Sequence, residues 1–385
     1  MNIFELHSKK VLHDGECVSG DALIVKKREN EEFYLLFDGI GHGAYAYTVA
    51  NFFASRLMEL LRRNEVLGDA CCMIAESMKN ARSTTSPYAA FTAVKVKTNG
   101  HYSIYCFEAP PPLIITGNHA YVMEGERFES GGVELVNYSG NLQIGEQIFI
   151  CSDGVAQAGL GHGYTGGIGM QGAAKFISEK LKNYDDEETP DYDALLRELF
   201  AFCNKISGRK NEDDITAALL DYREGKQLLI ATGPPMSTDL DAEFARKFNA
   251  FEGKKVICGS TTIDVITREL GLKINGNAMV YPNGSPPEYF IDGVELASEG
   301  DYMLNLVCRY LRKEPSDLCE AFPDDRLYML LKEHDVIFFN LGRAENAKYT
   351  DRMFMQTGMF PRKEIVTQLT KILRAMGKQV IIELF

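Results

Sequence analysis

The sequence predicts two domains of different class: an α+β layered domain, then a smaller α/β domain with a mostly parallel open sheet. Three observations lead there. In the first part of the chain strand-like runs come early and long helical periods flank them. From Gln227 onward strand and helix alternate, the pattern of β-α units. Between the two lies a short polar break, Tyr222-Arg223-Glu224-Gly225-Lys226, and 385 residues are more than one such domain needs. The expected domains are therefore 1–222 and 226–385.

In the first domain, residues 22–25 and 34–37 read as strands. Residues 42–62 read as a helix because Tyr45, Val49, Phe52 and Phe53 recur at helical spacing. A second helix is expected over 67–81. Residues 89–97 and 102–107 form a hairpin, since Asn99-Gly100 between alternating runs is a strong short-range turn signal. Residues 147–151 are an apolar strand, and helices over 171–181 and 192–206 precede a last strand at 215–222. The Gly-rich stretch from Gly159 to Gly169, which holds His162, reads as a flap or surface loop.

In the second domain, a strand at 227–231 runs through Thr232-Gly233-Pro234-Pro235 into a helix with Phe244, Phe248 and Phe251 on one face. A strand at 255–258 leads through Gly259-Ser260-Thr261-Thr262 into a helix at 263–270. Ser298 and Asp301 have the spacing of a capping box for a helix reaching residue 311. Strands at 336–340 and 379–384 flank an amphipathic helix at 362–376. Open parallel sheets bind ligands beyond the carboxyl ends of their strands. The turn Gly259-Ser260-Thr261-Thr262 is thus a candidate anion cradle, free N–H groups and the helix dipole both favouring negative charge. Plain capping by Ser or Thr is the competing reading. No Gly-x-Gly-x-x-Gly and no Walker lysine motif accompanies it.

The chemistry concentrates in four acidic turns of the first domain: Ser19-Gly20-Asp21, Asp38-Gly39-Ile40-Gly41-His42-Gly43, Ser152-Asp153-Gly154 and Asp213-Asp214-Ile215-Thr216. Asp38 and Asp153 each follow an apolar strand, where a sheet can aim carboxylates at one point. Hard cations such as Mg²⁺ and Mn²⁺ take oxygen ligands, and a pair bridged by one carboxylate can activate a water and clamp a phosphoryl group. Glycine beside Asp21, Asp38 and Asp153 lets backbone come close to the ions. Any one such turn is also an ordinary hairpin turn; four in this order read as a metal site.

In order and spacing these motifs resemble the metal-dependent protein phosphatase (PPM, PP2C-like) family, specifically its bacterial SpoIIE branch, over residues 1 to about 222. That resemblance implies a four-layer α-β-β-α sandwich, with Asp38 bridging two Mn²⁺ or Mg²⁺ ions. It implies that the Gly39 carbonyl, Asp21, Asp153 and Asp213 complete the ligand set directly or through water, Asp213 being preferred because the family's ligand is the first residue of that pair. It further implies phosphoserine or phosphothreonine hydrolysis of a phosphorylated protein, often a small anti-anti-sigma protein in relatives. His42 is open to two readings, a proton donor to the leaving oxygen or a helix-start residue without chemistry. Where relatives often have Asn-Ala-Gly-His, this chain has Phe107-Glu108-Ala109-Pro110, and no Arg precedes the first Asp to hold phosphate. The second half is only loosely similar to extensions of other SpoIIE-type phosphatases, and no residue is carried over to it.

With 41 basic and 54 acidic residues the net charge of −13 argues against nucleic acid and against an anionic membrane as partners. No long apolar stretch or leader is visible, and nine cysteines, an odd number without Cys-x-x-Cys, fit reduced thiols in the cytoplasm. The expectation is a cytoplasmic phosphatase whose second domain regulates or targets it, with a small-molecule ligand possible there. The alternative is a catalytically weak, phosphatase-like binding module coupled to a small-anion sensor.

Overall fold

The computed structural model describes residues 1–28, 30–79, 87–184, 189–209, 213–282, 284–344 and 358–385. The chain divides into two compact units, Asn2–Glu224 and Gly225–Phe385, Met1 grouping with the latter.

The first unit contains two antiparallel sheets. One has the order β1 (Asn2–Val11), β11 (Ile215–Glu224), β10 (Gln147–Cys151), β6 (Leu113–Thr116), β7 (His119–Val122). The other has the order β2 (Asp21–Lys27), β3 (Glu31–Gly39), β4 (Ala89–Lys97), β5 (His101–Phe107), β9 (Val133–Asn141), β8 (Glu126–Ser130). Strand alternation sorts their side chains into three cores. On β3, Tyr34 and Leu36 meet Ile148, Ile150, Ala218 and Leu220 of the other sheet. Phe33, Leu35 and Phe37 of the same strand pack on helices α1 (Gly43–Arg62) and α2 (Leu67–Ser77). On β10 and β11, Phe149, Cys151, Ala217 and Leu219 pack on α4 (Gly169–Leu181) and α5 (Tyr192–Ile206). The layers run helices, sheet, sheet, helices, each buried Leu, Ile or Phe contributing roughly 1.5–3 kcal/mol.

The second unit has one sheet, in the order β14 (Glu288–Tyr289), β15 (Leu296–Ser298), β13 (Lys254–Cys258), β12 (Gln227–Thr232), β16 (Val336–Leu341), β17 (Gln379–Leu384). The neighbours from β15 to β17 pair parallel, and β14 is an antiparallel edge. Leu229 and Ala231 of β12 pack on α6 (Asp241–Asn249) and α7 (Ser260–Leu270). Leu228 and Ile230 pack on the opposite face, against α8 (Asp301–Arg312), α9 (Pro323–Glu333) and α10 (Arg362–Ala375). Helices thus cover both faces.

Several expectations need correction. The helix expected over 67–81 ends at Ser77, with Met78 as its C-cap, and residues 80 and 81 lie outside the described residues. The capping box at Ser298 and Asp301 does not form. Ser298 is still in β15, its hydroxyl donates to the Pro287 carbonyl, and the N-cap of α8 is Gly300. Phe251 lies beyond the end of α6 but still packs edge-on against Phe338. The sequence reading missed β1, β6 to β9, β14, β15 and α9. β1 buries fully only Ile3 and Phe4, so its alternation is weak, and its place comes from pairing along its whole length with β11. Among the described residues no helix is long and apolar enough to cross a membrane.

Candidate metal centre

Antiparallel pairing assembles the acidic turns. β2 begins where β3 ends, so Asp21 lies directly opposite Asp38. In the other sheet β10 ends where β11 begins, with Cys151 opposite Ala217, which puts Asp153 at the head of α3 (Asp153–Ala156) beside Asp213. Each sheet thus delivers two carboxylates. Gly39 is needed between them: its N–H donates to the Gly20 carbonyl at 3.1 Å, and a Cβ there would run into the Ala46 carbonyl of α1.

Three of the four carboxyls are pushed upward. Burial, then the charges of Asp21, Asp153 and Asp213, push the Asp38 carboxyl well above the usual range. Burial raises Asp21 to about 7, partly offset by the nearby Thr216 and Ser152 hydroxyls and Lys10. Asp213 rises to about 6, through burial and then the Asp153 charge. Asp21 is 1% exposed, and neither of its oxygens has a partner in hydrogen-bond geometry among the described residues. The Lys10 ammonium donates instead to the Asp21 backbone carbonyl, at 2.6 Å. Asp153 accepts one hydrogen bond from the Gln157 amide at 2.5 Å. Asp21, Asp38 and Asp213, clustered with raised proton affinity and with few donors, are short of positive charge, so this donor set fits divalent cations.

The neighbouring Asp214 has a different task. Its Oδ2 accepts from the Gly20 N–H at 2.7 Å and its Oδ1 from the His13 N–H at 3.0 Å, so both oxygens are spent holding the turn before Asp21. Ser152 and Thr216 lock β10 to β11: the Thr216 N–H donates to Ser152 Oγ and the Ser152 N–H to the Thr216 carbonyl, both at 2.9 Å. The sequence reading saw these residues only as parts of motifs. It also missed a cleft of about 600 Å³ lined by Lys79, Tyr88, Phe107, Glu108, Arg127 and Glu134. Glu108 and Ala109 belong both to this cleft and to the small cavity containing Asp38 and Asp153. Glu108 has φ +50° and receives a hydrogen bond from the Tyr88 hydroxyl, a departure from extended backbone that marks Phe107-Glu108-Ala109 as a turn over the site.

His42 is the N-cap residue of α1, without a side-chain cap, and its Nδ1 lies 2.6 Å from Glu16 Oε1. His162 sits in a chain of tight turns closed by the Ile168 N–H to the Ala158 carbonyl, against Gly208. In the second unit Gly259, not Ser or Thr, is the N-cap of α7, at φ +126° and with no side-chain cap. Thr262 Oγ1 and Thr232 Oγ1 are buried there without partners among the described residues, and Arg362 lies over Gly233, paired with Asp301 at 3.6 Å.

The family model described as Stage II sporulation protein E (SpoIIE) matches residues 31–223. The chain belongs to the SpoIIE family. That family comprises PP2C-type phosphatase domains, and the match spans β3 to β11 with Asp38, Asp153 and Asp213. Among solved structures, the chain is similar to the phosphatase domain of the cell fate determinant SpoIIE from Bacillus subtilis, at 15% identity over 58% of this chain and 93% of that one, TM-score 0.44. It is similar to the RsbU and RsbW domains of a Mycobacterium tuberculosis protein at 17% identity, over 64% and 67%, TM-score 0.47. A third is RsbX in complex with magnesium, at 13% identity over 58% and 100%, TM-score 0.38. No curated protein sequence matches the chain.

Proposed function

We propose that this SpoIIE-family protein is a divalent-metal-dependent phosphoserine and phosphothreonine protein phosphatase with a PP2C-type α-β-β-α sandwich, its second unit serving regulation or targeting. The observation that carries the reading is Asp21, a buried carboxylate with neither oxygen in hydrogen-bond geometry to a partner among the described residues, set opposite Asp38 on the neighbouring strand. In this reading Asp38, Asp21, Asp153, Asp213 and the Gly39 carbonyl would hold two Mn²⁺ or Mg²⁺ ions. Bound there, the ions supply an activated water and offset charge on the phosphoryl oxygens, so that no phosphoenzyme is needed. The chain's own contribution is to hold mutually repelling carboxylates in place, which Asp214, Ser152 and Thr216 do through backbone hydrogen bonds. We assign His42 to Glu16 and the head of α1 rather than to proton donation. The cleft beside Glu108 is the proposed seat of a phosphorylated protein, with an anti-anti-sigma-type protein as the substrate class the family suggests. A cytoplasmic setting agrees with nine unpaired cysteines.

The test is hydrolysis of an aryl phosphate and of a phosphoserine peptide by the full-length protein, with Mn²⁺ or Mg²⁺ and with chelator. Metal-dependent turnover of the phosphoserine peptide is expected. Metal binding with no turnover of either substrate would overturn the reading.

For the second unit, we place a small-anion site where Gly259-Ser260-Thr261-Thr262 heads α7. Two buried hydroxyls without partners among the described residues, Thr262 and Thr232, favour it over simple capping.

A further inference from the structure

Among the described residues, the one group of three metal-ligating side chains whose donor atoms all lie within 4.8 Å of one another is not in the acidic centre. It is His13, Glu16 and His42. His13 and Glu16 belong to the loop between β1 and β2, and His42 heads α1. A turn closed by the Glu16 N–H to the His13 carbonyl, at 3.1 Å, places His13 and Glu16 on the same side, and Gly15 at φ +92° makes that turn possible. The His13 backbone is anchored by Asp214. From the other side, Gly43 at φ +71° leaves the space that the Glu16 carboxylate fills, since a Cβ there would overlap it. The His13 and His42 rings stack at 4.6 Å with 9° between their planes, which keeps the two side chains together beside Glu16.

A second observation points to a ligand. His13 Nδ1 is buried and has no hydrogen-bond partner among the described residues, although a buried ring nitrogen ordinarily finds one. A histidine-carboxylate ion pair accounts for His42 and Glu16 but leaves this nitrogen unexplained. A cation accounts for all three.

We infer that His13, Glu16 and His42 form a separate metal site, selective for a borderline transition-metal ion such as Zn²⁺. Two imidazoles and one carboxylate are a donor set for Zn²⁺ and its neighbours, whereas Mg²⁺ and Mn²⁺ prefer the all-oxygen carboxylate centre. Ligands around tetrahedral Zn²⁺ lie about 3.3 Å apart, so the group spreads at the 2.6 Å His42–Glu16 contact and closes elsewhere. His42 and Glu16 have the freedom to do so, their side chains being 58% and 28% exposed. On binding, the ion takes the place of the proton between His42 Nδ1 and Glu16 Oε1, and that proton is released to solvent. The ion would clip the β1–β2 loop to the start of α1, beside the turn that carries Asp38 and Gly39. The site does not depend on the phosphatase reading, since its donors lie outside the acidic centre.

The test is equilibrium dialysis of the full-length protein against Zn²⁺ in saturating Mg²⁺, with bound zinc counted per chain, for the unaltered protein and for Glu16→Gln, His13→Ala and Asp38→Asn. Glu16→Gln is near-isosteric on a partly exposed loop, and thermal melting of each variant checks folding. One zinc per chain is expected in the unaltered protein and in Asp38→Asn, with affinity falling more than about tenfold in Glu16→Gln and His13→Ala. Zinc that survives both triad substitutions, zinc that leaves with Asp38→Asn, or no stoichiometric zinc at all overturns the inference.

Discussion

The two units of this chain put opposite chemistry at the ends of their sheets. In the first, antiparallel neighbours bring the start of one strand beside the end of the next, and the residues there are Asp21 opposite Asp38 and Asp153 near Asp213. Negative charge accumulates faster than donors can satisfy it. In the second, parallel strands all end at one edge and hand over to helices, so that edge holds the helix start at Gly259, the Thr262 and Thr232 hydroxyls and Arg362. Helix N-termini carry partial positive charge. Strand direction therefore decides whether a sheet end suits cations or anions, given residues that do not contradict it.

The largest expected effect tests the cation end. Asp38→Asn should lower metal-dependent turnover roughly a thousandfold or more, equivalent to about 4 kcal/mol of barrier, with circular dichroism unchanged. Chelator should lower the melting temperature of the unaltered protein and leave Asp38→Asn nearly unaffected; equal shifts in both would mean that the carboxylates do not hold the ions.

Next comes the division of labour within Asp213-Asp214. Removing the Asp214 carboxylate strands two N–H groups, so Asp214→Ala should cost about 2–4 kcal/mol in denaturant unfolding of the metal-free protein. Asp213→Ala, which relieves repulsion, should cost less than about 1 kcal/mol or stabilise. Equal costs would erase the distinction between ligand and scaffold.

At the anion end, Thr262→Val replaces a buried hydroxyl without a partner and should change stability by no more than about 1 kcal/mol in the absence of ligand. It should, however, abolish any thermal shift produced by inorganic phosphate. A shift that persists would place the anion elsewhere.

The smallest effect is a pH slope. Burial holds the His334 imidazole below its ordinary value, while its Nδ1–H donates one hydrogen bond to the Leu330 carbonyl. The unfolded chain then takes up the proton first as pH falls. The associated stability is whole above pH 6.5 and drains as pH drops through that value toward the folded-state value. His334→Gln should flatten this part of the stability-pH curve; an unchanged slope would assign it to other groups.

Much of the first unit could be read from local signals. The Asp-Gly turns at strand ends and the Asn99-Gly100 hairpin depend on neighbouring residues, and their positions are matched by β3, β10, β4 and β5. The misread capping box is instructive: Ser298 has the right spacing, but pairing with Glu288 keeps it in the strand. The His13, Glu16 and His42 group was invisible for a related reason, since only the β1–β2 loop folding against α1 brings positions 26 apart to within 2.6 Å.

The sequence by itself determined the four acidic turns, the Asn99-Gly100 hairpin and the polar break near residue 225, because each depends on side-chain periodicity or backbone freedom within a few residues. Only the tertiary structure decided that Asp214 anchors Gly20, 194 positions away. It also decided that α7 is headed by Gly259 with a buried Thr262 whose hydroxyl has no partner among the described residues. Those outcomes depend on which groups lose water together, and desolvation is a property of the packed molecule that no short stretch of chain carries.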